Sequence, residues 1–93
     1  MSTVQVSDRP DREYYDITVD GTRVGLAAYE LTGDVIAFTY TEIDDAHEGQ
    51  GLGSTLARSA LDDARSRGLR VRPVCPFIRG WIKRHPDYQE LVV

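Results

Sequence analysis

The sequence has little of what cross-links a chain, binds a metal or anchors a protein in a membrane. Cys75 is the single cysteine among 93 residues, which excludes an internal disulfide, and no pair of Cys or His residues has zinc-ligand spacing. No apolar run approaches the roughly 18 residues of a membrane-spanning helix. The first residues carry no charged region followed by an apolar block, as an export signal would. These absences predict a cytoplasmic protein with no metal and no membrane partner.

The chain also lacks the length for two domains. Single cores typically take about 100 to 150 residues, so 93 residues predict one domain over 1–93. The composition, with 41% hydrophobic and 28% charged residues, is typical of a globular domain. A core of this size is thin, and the predicted oligomeric state is a monomer or a weak dimer.

Negative charge is missing from one part of the chain, although the net charge is -4. Between residues 64 and 85 there is no Asp or Glu, and the basic residues are Arg65, Arg67, Arg70, Arg72, Arg79, Lys83 and Arg84. A basic segment on an acidic protein favours a local anionic ligand over a nucleic acid, because nucleic-acid binders are usually basic overall. A solvated surface is the alternative interpretation.

Three antiparallel strands are predicted at the start, over residues 14–19, 24–31 and 35–43. The last is the richest in β-branched and aromatic residues. Asp20-Gly21 between two apolar stretches is a hairpin signal, and a turn follows at 32–34. The first 13 residues are predicted to precede the sheet.

A glycine-rich loop follows the third strand, and a helix follows the loop. Apolar residues from Leu52 to Ala64 recur at helical spacing, and Gly68 stands where a helix-ending glycine belongs. A strand over 69–74, a short helix over 77–84 with Phe77, Ile78 and Trp81 as its docking seam, and a last strand over 88–93 complete the prediction. The fold class is therefore α/β: a mixed sheet with an antiparallel meander, then strand, loop, helix, parallel strand and a short C-terminal helix.

The loop from Glu48 to Ser54 has three closely spaced glycines directly before a helix, a design that binds phosphate through backbone N–H groups. The P-loop pattern is absent, and the dinucleotide pattern fails because the third glycine comes one place early. Ser54 and Thr55 either cap the helix or donate to a phosphate. A flexible turn is the alternative interpretation of the glycines.

Glu48-Gly49-Gln50-Gly51-Leu52-Gly53 resembles the acetyl-CoA loop of the GCN5-related N-acetyltransferases, which follows the pattern Q/R-x-x-G-x-G/A. The resemblance extends over about residues 25–92 to a small subclass with segments like 75–77, Cys-Pro-Phe, and 85–88, His-Pro-Asp-Tyr. Two positions depart from the pattern. Glu48 replaces Gln or Arg, and Tyr40 stands where relatives often have histidine.

The resemblance implies acetyl-CoA as the acetyl donor and an amine as the acceptor, either a small molecule or a protein lysine. It implies a cleft between two parallel strands that splay apart. The residues expected to bind acetyl-CoA are Thr41, Ile43, Glu48, Gly49, Gln50, Gly51, Leu52, Gly53, Ser54, Thr55, Arg79 and Lys83.

Three residues are catalytic candidates in the light of the resemblance. Glu42 would take a proton from the amine, Cys75 would accept the acetyl group before passing it on, and Tyr88 would protonate the departing CoA thiolate. The respective alternatives are a surface carboxylate, a small core residue and a packing tyrosine.

The predicted function is thus N-acetyl transfer from acetyl-CoA to an unidentified amine. The alternative is a non-catalytic CoA-binding or interaction module on the same fold, because few residues precede the first predicted strand to build an acceptor site. RNA binding by the basic segment is disfavoured by the acidic remainder and by the lack of a paired-aromatic strand motif.

Overall fold

The computed structural model describes residues 3–93, which form one five-stranded sheet with two α-helices and two short 3-10 helices. The elements are β1 Val4–Arg9, β2 Tyr14–Val19, β3 Thr22–Thr32, β4 Val35–Ile43, a 3-10 helix Asp45–His47, α1 Leu52–Ser66, β5 Arg70–Pro73, α2 Pro76–Arg84 and a 3-10 helix Pro86–Leu91.

The strands lie side by side in chain order from β1 to β5. The first four pair antiparallel, whereas β4 and β5 are parallel and α1 forms the crossover between them. The predicted mixed α/β sheet is confirmed. No helix within residues 3–93 combines the length and the apolar character that crossing a bilayer requires.

The strand β1 corrects the prediction that the sheet begins at residue 14. Val4 pairs with Val19 and Arg9 with Tyr14, so β1 adds a fourth strand to the meander. It lies at the edge of the sheet, and three of its six residues are exposed while the others are only half-buried. The alternation of apolar and polar residues in β1 is limited to Val4–Ser7 and ends at the charged Asp8 and Arg9, so the pattern is shorter than that of an inner strand.

Two turns form as the local sequence predicts. Asp20 and Gly21 both have positive φ, +50° and +85°, which is the geometry of a type I′ hairpin turn. At the end of α1, Gly68 has φ +70°, its N–H donates to the carbonyl of Arg65, and the N–H of Leu69 donates to that of Ala64. This pair of bonds is the Schellman motif, and it ends the helix so that β5 can begin at once.

The core lies between one face of the sheet and α1. Apolar side chains of β2 to β5 meet the buried stripe of α1, which comprises Leu52, Leu56, Ala57, Ala60, Leu61 and Ala64. Two tyrosines of the sheet carry their hydroxyls to the rim of this core. Tyr15 donates to Asp63 at 2.5 Å and Tyr29 donates to Asp8 at 2.6 Å. Burial raises the pKa of both tyrosines, and the carboxylate partners raise it further.

The predicted final strand over 88–93 is wrong apart from one bridge. Residues 86–91 form a 3-10 helix that begins at Pro86 and buries Tyr88 and Leu91. Only then does Val92 pair with Val71, alongside β5. Tyr88 and Leu91 are three residues apart and therefore lie on the same face of a 3-10 helix, so both can be buried. In a strand, residues three apart point to opposite faces, and one of the two would be exposed.

Candidate active site

The strands β4 and β5 separate halfway along β4. Residues 35–38 of β4 pair with 70–73 of β5, and the last link is the N–H of Cys75, which donates to the carbonyl of Phe38 at 2.8 Å. Beyond Pro73 the chain turns into α2. The second half of β4, from Thr39 to Ile43, therefore has no strand beside it on the β5 side.

Backbone N–H groups on this half of β4 point into the gap. Asp44 donates its N–H to Val24 of β3 at 2.7 Å, and residues 40–43 keep a regular register with β3. Because successive residues of a strand turn their N–H groups to opposite sides, those of Thr41 and Ile43 point away from β3. The edge therefore offers hydrogen-bonding groups to a ligand that lies along it.

The glycine loop ends on an uncapped helix start. Gly49 and Gly51 have φ of +81° and +78°, and a Cβ atom on either would meet nothing within 4 Å. Gly51 is the N-cap of α1 without a side-chain capping bond, and the first helical bond runs from the N–H of Thr55 to its carbonyl. The preceding N–H groups of the first turn are thus left for an anion.

One face of α2 forms the opposite wall. Phe77 lies over Gly53, where an added Cβ atom would stand 3.0 Å from the ring. The indole N–H of Trp81 donates to the hydroxyl of Ser54 at 2.8 Å, and the His85 ring stacks on Trp81 with ring centroids 3.7 Å apart. Phe77 was predicted in the docking seam, but its side chain stays 39% exposed because it faces the cleft.

These three walls border a cavity of about 750 Å³ that is open to solvent. It is lined by Tyr40, Thr41, Glu42, Ile43, Asp45, His47, Glu48, Gly49, Gly51, Leu52, Gly53, Ser54, Phe77, Trp81, Arg84 and His85. Three of its lining side chains are carboxylates, on Glu42, Asp45 and Glu48. Among residues 3–93, no three His, Cys, Asp or Glu side chains cluster as metal ligands.

The structure brings most of the predicted acetyl-CoA residues together in this cavity. Gln50, Thr55, Arg79 and Lys83 are the four that do not line it. The Thr55 hydroxyl donates instead to the carbonyl of Gly51 at 3.2 Å. The Arg79 guanidinium donates instead to the carbonyls of Pro73 and Val74 at the end of β5, at 3.3 and 2.8 Å.

The catalytic candidates lie in three different places. Glu42 lines the cavity, and its carboxylate accepts a hydrogen bond from the Tyr40 hydroxyl at 3.0 Å, which raises the pKa of Tyr40. Cys75 is buried behind the cavity wall, where its thiol donates to Thr41.

Tyr88 is also buried and does not line the cavity. Its hydroxyl donates to Asp62 at 2.7 Å and accepts a bond from Arg58 at 3.3 Å. Burial raises the pKa of Tyr88, and the hydrogen bond to Asp62 raises it further.

The sequence predicted that α2 contributes Arg79 and Lys83 to the cofactor site, but it did not identify the residues of α2 that form the wall. Phe77, Trp81, Arg84 and His85 follow one another at spacings of four, three and one residues, so they share one helical face. That spacing was visible in the sequence. Which neighbour the face meets was not, because its contact on α1, the hydroxyl of Ser54, lies 27 positions before Trp81 in the chain.

Comparison with known proteins agrees with the fold and with the loop. Residues 14–91 match the family model described as GCN5-related N-acetyl-transferase. The chain belongs to this family. Among curated relatives, Protein NATD1 of Bos taurus is 34% identical over 90 residues, which cover 95% of this chain and 80% of that protein. Protein NATD1 of Homo sapiens is 32% identical with the same coverage.

Solved structures share the N-acetyltransferase fold. The solution structure of a GCN5-like putative N-acetyltransferase from Staphylococcus aureus superposes with a TM-score of 0.75 at 21% identity and covers 100% of this chain and 91% of that one. The ribosomal-protein-S18-alanine N-acetyltransferase from Escherichia coli gives a TM-score of 0.62 at 18% identity, with 76% and 64% covered. Family and fold together support an acetyltransferase function in general terms.

Proposed function

We propose that the protein binds acetyl-CoA in the cavity between β4, α1 and α2 and transfers the acetyl group to an amine. One observation supports this most directly. The unpaired edge of β4 at Thr41 and Ile43 and the open N-terminus of α1 at Gly51 line the same cavity. A ligand with amide groups at one end and phosphates at the other matches that arrangement.

The residues present fit each part of such a ligand. The pantetheine arm carries amides, which can pair with the free backbone groups of β4 as an added strand would. The phosphates carry negative charge, which the first-turn N–H groups of α1 and the left-handed glycines can bind. The Ser54 hydroxyl accepts the indole N–H of Trp81, so its own proton remains available to donate.

Acetyl-CoA supplies an activated thioester, and the chain offers two routes for the acetyl group. In direct transfer the amine nitrogen bonds to the carbonyl carbon, the carbon–sulfur bond breaks, CoA leaves as thiolate, and Glu42 takes the amine proton. The N–H of Thr41 or Ile43 would stabilise the charge on the carbonyl oxygen. In the second route the Cys75 sulfur bonds to the carbonyl carbon, the carbon–sulfur bond to CoA breaks, and the departing CoA sulfur takes the proton of the Cys75 thiol. The amine then displaces the cysteine and releases the thiol again. This route requires Cys75 to reach past Thr41.

A non-catalytic CoA-binding module is the second candidate, and the position of Tyr88 favours it. The hydroxyl expected to protonate the leaving thiolate is occupied by Asp62 and Arg58 and does not line the cavity. The expected acetyl-CoA residues that line the cavity make no hydrogen bond with this hydroxyl. Binding alone therefore does not distinguish a transferase from a module, and turnover must be measured.

Calorimetric titration with acetyl-CoA and then CoA tests the binding step. We expect saturable binding of both at micromolar dissociation constants, and a chain that binds neither overturns the proposal. Acetylation of a polyamine and of a lysine-containing peptide is then followed by release of free CoA thiol. Release that depends on the amine supports the transferase, whereas binding without release supports the module.

A further inference from the structure

The basic segment of the chain is mostly used by the fold itself. Four of its seven guanidinium or ammonium groups have partners within the fold. Two of them form ion pairs with carboxylates: Arg65 with Glu90, and Arg67 with Asp8 and Asp63. The others donate to backbone carbonyls, as Arg65 also does: Arg65 to Asp87, Arg70 to Leu91 and Val92, and Arg79 to Pro73 and Val74. These four hold the chain ends, α1 and the turn after β5 in place. They are not free to bind a ligand without breaking those contacts.

Three basic side chains remain: Arg72, Lys83 and Arg84 have no hydrogen bond or ion pair within the described part of the chain. Only Arg84 of these lines the cavity. Its guanidinium lies back along α2, where a Cβ atom on Gly80 would stand 3.5 Å from Nη1. The absence of a side chain at Gly80 leaves room for the guanidinium against the helix.

The charge balance of the cavity makes Arg84 significant. Glu42, Asp45 and Glu48 line the cavity, and Arg84 is the one Lys or Arg among the lining residues of the region 3–93. Glu48 belongs to the glycine loop itself, so an anionic ligand at the start of α1 meets a carboxylate there. Backbone N–H groups attract that ligand and three carboxylates oppose it, so the one guanidinium among the lining side chains offsets part of the repulsion.

We infer that Arg84 is the phosphate-binding cation of this cavity and makes the site selective for phosphorylated thioester donors over a bare pantetheine. The inference rests on the proposed function, because it assigns a residue to one part of CoA. A guanidinium suits the task since it remains charged at any working pH and offers paired donors to two phosphate oxygens. Arg84 then replaces the charge that Glu48 takes away from the loop.

Titration calorimetry of the full chain with CoA, dephospho-CoA and pantetheine tests the inference. Arg84→Gln should weaken CoA by at least about tenfold, the effect of one lost charge-assisted hydrogen bond, and should leave the affinity for pantetheine unchanged. Lys83→Gln is the matched control on the same helix, since it removes an equal charge outside the cavity, and it should stay within about twofold. Circular dichroism checks that each variant is folded.

The outcomes separate the two claims. A wild-type chain that binds no CoA overturns the proposed function. Wild-type binding with an equal loss in Arg84→Gln and Lys83→Gln, or with no loss in either, overturns only the role of Arg84. If Arg84→Gln lowers the affinity for CoA but not for dephospho-CoA, Arg84 contacts the 3′-phosphate. If it lowers the affinity for both ligands, Arg84 contacts the pyrophosphate. Arg84→Lys, which keeps the charge but not the paired donors, should recover part of the affinity.

Discussion

The thiol of Cys75 donates a hydrogen bond to the hydroxyl oxygen of Thr41, with Sγ and Oγ1 3.3 Å apart. The bond joins the chain after β5 to β4 at the level where the two strands part. Thr41 lines the cavity and Cys75 lies behind it, buried to 4% exposure. One side chain therefore separates the thiol from the position proposed for the thioester.

Replacing Cys75 tests the covalent route. We predict that Cys75→Ser binds CoA as the wild type does but suppresses acyl transfer, because a hydroxyl keeps the contact with Thr41 and lacks a nucleophilic thiolate. Intact mass after exposure to acetyl-CoA should show one acetyl adduct on the wild type and none on the variant. Cys75→Ala is the control for lost packing. Normal turnover in both variants would assign the cysteine to the core alone.

Gly51 and Gly33 form a matched pair for the loop. Both have left-handed backbone, with φ of +78° and +60°, and an added Cβ meets nothing within 4 Å at either. Alanine at each position should therefore cost about 1 to 2 kcal/mol of stability. Only Gly51→Ala should also weaken CoA, because Gly51 begins α1 in the cavity while Gly33 turns β3 into β4. Equal CoA affinities in the two variants would contradict a phosphate role for the loop.

Gly53 differs from the other loop glycines because its backbone is helical and the space beside it is filled by Phe77. Alanine in place of a helical glycine usually stabilises by roughly 0.5 to 1 kcal/mol. At Gly53 the new methyl group would press on the ring, so Gly53→Ala should gain more stability in a Phe77→Ala background than in the wild type. Urea unfolding of the four proteins of this cycle gives the coupling. The same gain in both backgrounds would show that the ring moves aside freely.

The buried tyrosines predict how stability depends on alkaline pH. Burial, then the bonds to Asp63 and Asp8, raise the pKa of Tyr15 and Tyr29 in the folded chain. An unfolded tyrosine ionises near pH 10, so above that pH the folded state binds more protons than the unfolded state. The stabilisation is complete below about pH 10, and the free energy of unfolding should fall as the pH rises further.

Urea unfolding at a series of alkaline pH values, followed by the fluorescence of Trp81, measures that fall. Tyr15→Phe should make the fall shallower by removing one of the tyrosines whose pKa is raised in the folded chain. Tyr14→Phe is the control, since Tyr14 lies on the opposite face of β2 and is half-buried there. A slope that Tyr15→Phe leaves unchanged would assign the alkaline loss to other groups.

Local signals explain which parts of the fold could be predicted. The hairpin at Asp20-Gly21 and the end of α1 at Gly68 depend on residues within a few positions of each other, and both form as expected. The missed strand β1 is stabilised by pairing with β2 and by the contact of Arg67 with Asp8, 59 positions apart in the chain. The misassigned tail is decided by the burial of Tyr88 and Leu91, which a strand would not allow.

The sequence alone determined the elements of the donor site: the left-handed glycines, the helix that follows them and the β-branched strand before them. Glycine spacing and apolar periodicity favour particular backbone conformations within a few residues, and this preference does not depend on tertiary contacts. Only the tertiary structure decided that the face of α2 with Phe77, Trp81 and Arg84 closes the cavity, while Arg79 and Tyr88 are held elsewhere. Helical spacing defines a face, but packing between distant segments decides what that face meets.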